Sequence, residues 1–507
     1  MAVTTTGIYC RPICPAAPTP KRANIRYFPT AAAAAEAGFR PCLRCRPEAA
    51  PGTPAWLGTS AVVRRALRLI QDGALDEASI EQFAARVGIG PRHLHRLFVR
   101  HVGASPNAVA QTRRLHFAKR LIDETSLTMT EIALAAGYGS LRRFNDTFRA
   151  AYGRSPREIR GGSAGRPRAS APARAGVPEA GSMQSVVLRL AYRPPYDWDS
   201  IAEFLAARAI PGVERVDARG YARTVGLPGV AAAAAPAIIR VRPTKDRNEL
   251  ELTVSGAPPG ALFALSLTAR RMFDLAADPV LTARTLDCDP VLRNCLRRRP
   301  GLRIPGIWDP FECAVRAVLG QQVSVAAART LAARLVARAG RPIEPALESA
   351  DGLTHLFPTP EELVRAELGG LGVTGARIAA IQRLAQAVLD GALDFSASAE
   401  EVIAALEALP GIGAWTAQYI ALRALGEPDA LPAADIVLRR MAANGGAPFS
   451  TRQLEMHAES WRPWRSYAVM HLWRAAAEQP TEPLRRSKQS SLTPAPSREI
   501  PAEGAAP

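Results

Sequence analysis

Several features that would place this chain in other classes of protein are missing from its 507 residues. No run of about 18 apolar residues occurs, so no segment predicts a membrane-spanning helix. The opening segment MAVTTTGIYC lacks the basic and apolar stretches of a secretory signal. Seven cysteines are an odd number for a disulfide framework and indicate a reducing compartment. We therefore expect a cytoplasmic bacterial protein that makes no contact with a membrane.

Lysine is also scarce, because the only lysines are Lys21, Lys119, Lys245 and Lys488. Arginine supplies nearly all of the basic charge, and the formal net charge is +18. Such a surplus favours a polyanionic partner, with nucleic acid as the leading candidate. A soluble basic protein without such a partner is the alternative that charge alone leaves open.

Changes in composition divide the chain into several segments, since 507 residues are too many for one hydrophobic core. Apolar spacings of three and four predict helices, and short alternating runs such as VVLRLAY, AIIRVRP and LELTVSG predict strands. The predicted units are a cysteine-rich module at 1–50, a helical domain at 56–160, a Gly/Pro/Ser/Arg linker at 161–184, an α+β domain at 185–300, an all-α domain at 301–480 and a disordered tail at 481–507.

Four cysteines cluster near the start of the chain. Cys10, Cys14, Cys42 and Cys45 follow the spacing C-x3-C-x27-C-x2-C. Two close pairs separated by a loop suit four thiolates around one tetrahedral zinc ion. The simplest interpretation is a structural zinc site in a small module. Cys288, Cys295 and Cys313 have no such spacing, and we expect them to be buried thiols.

The segments around these cysteines, TTGIYCRPIC and GFRPCLRC, closely resemble the zinc module of the Ada family of methylation-response proteins. The resemblance implies that Cys10 is both a zinc ligand and the acceptor of a methyl group from a methylated DNA phosphotriester. A zinc-bound thiolate stays deprotonated at neutral pH and remains nucleophilic, which is consistent with that role. Arg40 and Arg44 would then contact the DNA backbone.

Two further segments read as a helix, a glycine-containing turn and a second helix. They are SIEQFAARVGIGPRHLHRLFVRHVG and TMTEIALAAGYGSLRRFNDTFRAAYGRSPRE, separated by a long predicted helix at Asn107–Glu124. The pair resembles the AraC-type DNA-binding domain. Each second helix can enter a major groove through its N-terminal half, although some side chains there would contact phosphate only. The candidate readers of DNA are Arg92, His93, His95, Arg96, Ser140, Arg142, Arg143 and Asn145.

The strongest signal is LEALPGIGAWTAQYIALRAL, followed by LPAADIVLRR. The PGIG turn between two predicted helices leaves backbone N–H groups of Gly411 and Gly413 available to a DNA phosphate. The segment is identified as the helix-hairpin-helix of the base-excision glycosylase superfamily. The resemblance implies that Asp435, about 20 residues after the turn, is catalytic. An ordinary helix N-cap is the structural alternative for this aspartate.

The segments RPGLRIPGIWDPFECAVRAVLGQQVSVAAA and WRPWRSYAVMHLW are similar to AlkA-type alkylbase glycosylases. This resemblance implies a base pocket of Trp415, Tyr419 and Trp473, and a wedge into the base stack at Gln322. It also implies a monovalent or divalent cation held by the carbonyl groups of Glu407, Leu409 and Gly411. Bifunctional relatives carry a lysine where this chain has Trp415, so no Schiff-base lyase step is expected.

The fold class we expect is multidomain and mainly α. It comprises a small zinc module, an AraC-type double helix-turn-helix, an α+β antiparallel-sheet domain and an all-α helix-hairpin-helix glycosylase domain. The expected function is hydrolysis of the N-glycosidic bond of 3-methyladenine-type bases without strand cleavage, joined to a methyl-accepting transcription regulator. The alternative is a regulator whose glycosylase half only binds damage. The expected partners are alkylated and promoter double-stranded DNA and RNA polymerase, with a monomeric chain in the nucleoid.

Overall fold

The computed structural model describes residues 1–10, 20–43, 61–71, 73–162, 185–227, 236–245, 247–343 and 352–478. The predicted tail and most of the predicted linker lie outside these ranges. Among the described residues, no helix is both long and apolar enough to cross a membrane. The limits of the individual domains remain predictions.

The N-terminal module is a small sheet with one helix packed against it. The strands lie in the order β3-β1-β2-β4, with β1 antiparallel to β2 and β3, and β2 parallel to β4. Its core is small and centres on Ala2, Tyr9 and Ala34. The elements are β1 (Ala2–Val3), β2 (Ile8–Tyr9), β3 (Ile25–Arg26), α1 (Ala31–Glu36) and β4 (Arg40–Pro41).

The next domain is helical, and its turns carry the sequence signals that define them. Ser79 and Thr128 each form a capping box at the start of a first helix, and a left-handed glycine, Gly103 or Gly153, ends each second helix. The predicted helix starts near Pro91 and Ser140 are confirmed within one residue. The helices are α2 (Ala61–Gln71), α3 (Ala74–Glu77), α4 (Ile80–Val87), α5 (Pro91–Val102), α6 (Pro106–Glu124), α7 (Met129–Ala135), α8 (Leu141–Tyr152) and α9 (Pro156–Gly162).

An antiparallel sheet in the order β5-β9-β8-β7-β6 opens the second half of the chain. Alternate residues of β5 and β9 are buried, as the alternating sequence predicts. Strands β6 and β7 are not among the runs from which we predict strands. Every residue of β7 is buried and no alternation marks it, and β6 has only four residues. The elements are β5 (Ser185–Ala191), α10 (Trp198–Ala206), β6 (Glu214–Asp217), β7 (Gly220–Val225), β8 (Ala237–Pro243), β9 (Glu249–Ser255) and α11 (Leu262–Met272).

The rest of the described chain is helical and packs around two apolar cores. Aspartate followed by proline starts three of its helices, because the aspartate caps the free N–H groups and proline fits the first helical position. The helices are α12 (Pro279–Leu286), α13 (Pro290–Arg298), α14 (Pro310–Leu319), α15 (Val325–Ala339), α16 (Pro360–Arg365), α17 (Gly375–Leu389), α18 (Ala399–Glu407), α19 (Ala414–Ile420), α20 (Ile436–Ala442), α21 (Thr451–His457) and α22 (Arg465–Glu478). A short π-helical segment, Ala421–Leu425, follows α19.

The front and rear halves of the chain share one hydrophobic core, which runs from α6–α9 into the sheet and α11. Phe117 of α6 meets Phe263 of α11 edge-to-face, with ring centroids 4.6 Å apart. The guanidinium of Arg120 donates to the carbonyl of Arg189 in β5 at 2.9 Å. These contacts fix the helix-turn-helix domain to the sheet.

A buried ionic cluster joins the sheet to the helical domain behind it. Arg223 of β7 donates to Glu312 of α14 at 2.8 Å, and Arg316 of α14 donates to Glu214 of β6 at 2.8 Å. Burial tends to raise the pKa of Glu214, but the two arginines and the Tyr221 hydroxyl outweigh it and hold the pKa below its usual range. The cluster therefore carries paired charges in the interior.

Candidate active site and nucleic-acid interface

Asp435 occupies the N-cap of α20 and uses its two carboxylate oxygens differently. One oxygen accepts from the backbone N–H of Leu438 at 2.9 Å, and the other accepts from the indole N–H of Trp415 at 3.0 Å. The residue is half-buried. Asp435 is therefore the N-cap of a helix, which is the structural alternative given above for this aspartate. Its carboxylate also accepts a hydrogen bond from the indole of Trp415.

The three predicted pocket aromatics come together beside this carboxylate. Trp415 and Tyr419 lie one turn apart on α19 and stack with centroids 5.4 Å apart and an angle of 9° between the rings. Trp473 of α22 approaches Tyr419 at 6.2 Å. All three are half-buried. Stacked rings of this kind offer faces to a planar or cationic group.

Two arginines behind these rings were not predicted. Arg423, which is 5% exposed, donates to the hydroxyl of Tyr419 at 2.8 Å and to the carbonyl groups of Pro305 and Gly306. Arg208 also interacts with Tyr419, and burial lowers the pKa of its guanidinium. Tyr419 and Arg423 are four residues apart on a predicted helix, a spacing that could have indicated their contact.

The hairpin between α18 and α19 is held from two sides. Gly411 has φ +98°, and a Cβ atom there would lie 2.9 Å from Ala380, so only glycine fits without displacement. Gly413 is the N-cap of α19 and faces open space. The amide of Gln321 donates to the Gly411 carbonyl at 2.9 Å, so this carbonyl, one of the three predicted cation ligands, already has a hydrogen-bond partner.

Gln322, the predicted wedge, lies in the turn between α14 and α15. It is exposed and has a left-handed backbone with φ 56°, which is strained for a residue other than glycine. The preceding Gln321 ties this turn to the hairpin, and the guanidinium of Arg377 donates to the Gln321 carbonyl at 2.8 Å. Hydrogen bonds of Gln321 therefore hold the turn in place, and Gln322 lies exposed on it.

The candidate readers of the first helix-turn-helix lie on the exposed face of α5. Arg92, His93, His95 and Arg96 are all exposed, whereas Leu94 and Phe98 are fully buried. Arg96 and His93 contact each other at 3.0 Å. The basic face of this helix is available to a nucleic acid.

The second unit repeats this arrangement on α8 with one difference. Arg142 and Arg143 are exposed and Asn145 is half-buried. The hydroxyl oxygen of Ser140 accepts from the backbone N–H of Arg143 at 3.2 Å, so Ser140 caps the helix. Arg142 also lies 3.9 Å from Asp146.

Only part of the predicted zinc site falls within the described residues, because Cys14 and Cys45 lie outside them. Arg44, a predicted contact to the DNA backbone, also lies outside them. Cys10 and Cys42 directly follow β2 and β4, whose parallel pairing brings them to the same edge of the sheet. The backbone N–H of Cys42 donates to the carbonyl of Tyr9 at 3.0 Å. In the part of the chain that the structure describes, no group of three metal-ligating side chains occurs.

The zinc module packs against the helix-turn-helix domain. The Tyr9 hydroxyl lies 2.7 Å from the ring of His116 in α6, and Thr30 donates to the carbonyl of Val102 at the end of α5. Arg40 is exposed and lies near Gly153 at the end of α8. The module therefore touches the C-terminal ends of both candidate recognition helices.

The remaining cysteines differ from the expectation in one case. Cys295 and Cys313 are buried, and burial raises the pKa of the Cys313 thiol to about 11. Cys288 is exposed, and its thiol donates to the carbonyl of Ser460 at 3.8 Å. The prediction of a buried thiol is wrong there, because Cys288 lies in the exposed turn between α12 and α13.

Family models match nearly the whole described chain. The metal binding domain of Ada matches residues 1–48, and a helix-turn-helix domain matches 83–162. The AlkA N-terminal domain matches 187–309, and the HhH-GPD superfamily base excision DNA repair protein matches 315–466. A solved 3-methyladenine DNA-glycosylase from Archaeoglobus fulgidus has the same fold over 57% of this chain and 98% of its own, with a TM-score of 0.50 and 23% identity.

These matches and the hairpin define the class, a helix-hairpin-helix DNA glycosylase fused to a DNA-binding regulator with an Ada-type zinc-binding domain. A probable bifunctional transcriptional activator/DNA repair enzyme AlkA of Mycobacterium tuberculosis is 43% identical over 93% of this chain and 92% of its own length. DNA-3-methyladenine glycosylase 2 of Escherichia coli is 36% identical over 58% of this chain and 99% of its own. The chain belongs to the family of bifunctional transcriptional activator/DNA repair enzymes that join an Ada-like regulator to an AlkA-like glycosylase. The predicted resemblances and fold class are confirmed.

Proposed function

We propose that this chain hydrolyses the N-glycosidic bond of 3-methyladenine-type bases and leaves the DNA strand intact. The observation that supports this most is the carboxylate of Asp435, held by the indole of Trp415 at the edge of the aromatic set. The names of the E. coli and A. fulgidus relatives point to the same base.

The chemistry follows from the types of residue present. Alkylation at a purine ring nitrogen gives the base a positive charge and makes it a good leaving group. The enzyme then has to extrude the nucleotide, hold a planar cation and stabilise an oxocarbenium-like sugar. Trp415, Tyr419 and Trp473 supply ring faces for the cation, and Asp435 supplies negative charge for the sugar. Gly411, Gly413 and Gln322 hold the backbone and fill the emptied stack.

The test is base release from methylated duplex DNA by the wild type and Asp435→Asn. Asparagine is also a good N-cap, so the hydrogen bond to Leu438 and the fold should survive. We expect the rate to fall on the order of 10²-fold or more, because the negative charge at the sugar is lost. Asp278→Asn, which changes a similar cap on α12, is the matched control and should retain its rate. Full activity of Asp435→Asn would contradict the catalytic role assigned to Asp435, whereas the absence of base release by the wild type would leave the rear half as a damage-binding module.

Strand cleavage has no amine to start it in this half of the chain, since no lysine occurs between Lys245 and Lys488. We expect an intact abasic strand as the product. Borohydride reduction during turnover should trap no covalent adduct between protein and DNA. A trapped adduct would contradict the monofunctional assignment.

The front half is proposed to bind one zinc ion through Cys10, Cys14, Cys42 and Cys45. The adjacent positions of Cys10 and Cys42 at one sheet edge support this, and four thiolates suit a tetrahedral ion. Metal analysis should give about one zinc per chain. Cys14→Ala should lose the metal, whereas Cys288→Ala should keep it. Retention of zinc after removal of both Cys14 and Cys42 would contradict the site.

Methylation of Cys10 is proposed to act as a charge switch for promoter binding. Four thiolates on Zn²⁺ carry a formal charge of about −2, and a thioether at Cys10 would halve it. The arginines of the module and of the two recognition helices would then approach DNA with less repulsion. Protein treated with methylphosphotriester DNA should bind promoter fragments of its own operon more tightly, with a changed salt dependence. Equal promoter affinity before and after confirmed methylation of Cys10 would indicate that the module holds only a structural zinc site.

The cation at the hairpin remains a proposal. The carbonyl groups of Glu407, Leu409 and Gly411 would hold it beside a bound DNA phosphate, with the Gln321 amide moving away from Gly411. Gln321→Ala should then leave DNA affinity in K⁺ at or above that of the wild type.

RNA polymerase is the partner we propose for the promoter-bound regulator, and its recruitment by the methylated protein is the test.

A further inference from the structure

A cleft of about 690 Å³ opens between the front and rear halves of the chain. One wall is formed by α2 and α6, including His116 and Arg120, and the other by α11 and the turn before α14, including Arg270 and Trp308. A cavity of this size suits a small-molecule ligand. Because each half supplies only one wall, the cleft exists only where the two halves are joined.

Positive charge in this cleft is concentrated around Arg270. Among the residues that the structure describes, six arginines line the cleft against three carboxylates: Arg65, Arg113, Arg120, Arg270, Arg271 and Arg423 against Asp274, Glu400 and Glu427. Three of these arginines lie close to acidic partners outside the lining: Arg65 is 3.9 Å from Asp394 and from Glu401, Arg113 pairs with Asp76, and Arg120 lies 3.9 Å from Glu124. The other three arginines face three carboxylates, so an anion is favoured by the local surroundings of Arg270, where the neighbouring charges are those of Arg120 and Arg193.

Arg270 is the clearest case of an arginine without a counter-charge. It donates to the carbonyl of Ala191 at 3.3 Å and forms no ion pair within the described residues. Burial, together with the positive charges of Arg120 and Arg193, lowers the pKa of its guanidinium to about 9. A half-buried cation in such surroundings is costly unless an anion offsets it.

The walls also carry aromatic rings. Phe263 and Trp308 line the cleft and are only partly buried. Phe263 already takes the guanidinium of Arg113 over its ring at 4.3 Å. Guanidinium groups bind phosphate through charge-assisted hydrogen bonds, and aromatic faces stack on nucleobases. The two together match a ligand that has a phosphate at one end and a planar base at the other.

We propose that this cleft binds a mononucleotide, with its phosphate between Arg120 and Arg270 and its base against Trp308. The ligand would bridge α6 of the regulator and α11 of the glycosylase. The proposed phosphate and base contacts include neither Asp435 nor the three pocket aromatics, although Arg423, which donates to Tyr419, also lines the cleft.

The test is calorimetric titration of the full chain with dAMP and with inorganic phosphate. We expect dAMP to bind about tenfold more tightly than phosphate, because stacking on an aromatic ring adds to the phosphate contact. Arg270→Gln should weaken dAMP binding about tenfold or more, since it removes a charge-assisted hydrogen bond. Arg270→Lys, which keeps the charge, should retain most of the affinity. Arg338→Gln, an exposed arginine of α15 outside the cleft, is the matched control and should have no effect.

Hydrogen exchange locates the bound nucleotide. Saturating dAMP should slow amide exchange in α6 and α11 and leave the hairpin and the recognition helices unchanged. The proposal is overturned if the wild type binds neither probe, if phosphate binds as tightly as dAMP, or if Arg270→Gln and Arg270→Lys both bind like the wild type. Loss of duplex-DNA affinity by the same factor in Arg270→Gln would assign the cleft to the DNA backbone and also overturn it.

Discussion

At the scale of single residues, Trp415 makes two contacts that one substitution can separate. Trp415→Phe keeps a ring to stack on Tyr419 but removes the N–H that holds Asp435. We expect the single-turnover rate of base release to fall about tenfold, because one charge-assisted hydrogen bond is lost, with little change in DNA affinity. Trp461→Phe breaks a similar indole-to-carboxylate contact, to Asp289 at 3.1 Å, and should lower stability but not the rate. An unchanged rate in Trp415→Phe would show that Asp435 needs no such support.

His471 makes the stability of the rear half depend on pH. It is 4% exposed, and burial lowers its pKa from 6.5 to about 4. The folded state therefore favours the neutral ring, so its contribution is complete above pH 6.5 and is lost as the pH falls towards 4. We expect the free energy of unfolding to drop by about 3 kcal/mol at most across this window.

Denaturant unfolding at several pH values measures this dependence. His471→Gln should lose this component of the acid sensitivity, because glutamine does not titrate. His95→Gln, at an exposed position, should follow the wild-type curve. Equal acid sensitivity in the wild type and His471→Gln would show that the histidine is not the group responsible.

At the scale of elements, we expect the two glycines of the hairpin to have different roles. Gly411→Ala should lower stability by about 1–3 kcal/mol, because its φ is +98° and a Cβ atom would meet Ala380. Gly413→Ala should leave stability nearly unchanged, since its Cβ atom would face open space. If Gly413 lies against a DNA phosphate, the same change should weaken binding to damaged and undamaged duplexes alike. Thermal unfolding and DNA titration of the two variants distinguish these roles. Unaltered DNA binding in Gly413→Ala would contradict a phosphate contact at Gly413.

The sequence predicts the elements with strong local signals and misses those set by tertiary packing. Caps and glycine turns located α5 and α8 within one residue, and the hairpin located Asp435 as a candidate. Strand β7 escaped notice because burial on both faces removes its alternation. For Arg423, the spacing to Tyr419 is a local signal, but its contacts with Pro305 and Gly306 join residues more than 100 positions apart along the chain and have no local signal.

At the scale of the whole molecule, the shared core should make the two halves unfold together. Phe263→Ala removes the edge-to-face contact with Phe117 and the contact with Arg113. We expect it to cost about 3 kcal/mol and to split one thermal transition into two. Phe449→Ala, which affects only a core of the rear half, should lower stability and keep a single transition. A single transition in Phe263→Ala would indicate that other contacts hold the halves together.

The shared core also changes what it means to cut the chain between the halves. Because α6–α9 and strand β5 bury one another, cleavage within residues 163–184 would remove a covalent connection without exposing the apolar surface. The two fragments should co-elute as one particle and should reassemble when expressed from two separate genes. What the single gene adds is then stoichiometry, because every copy of the glycosylase is made with one regulator already docked on it.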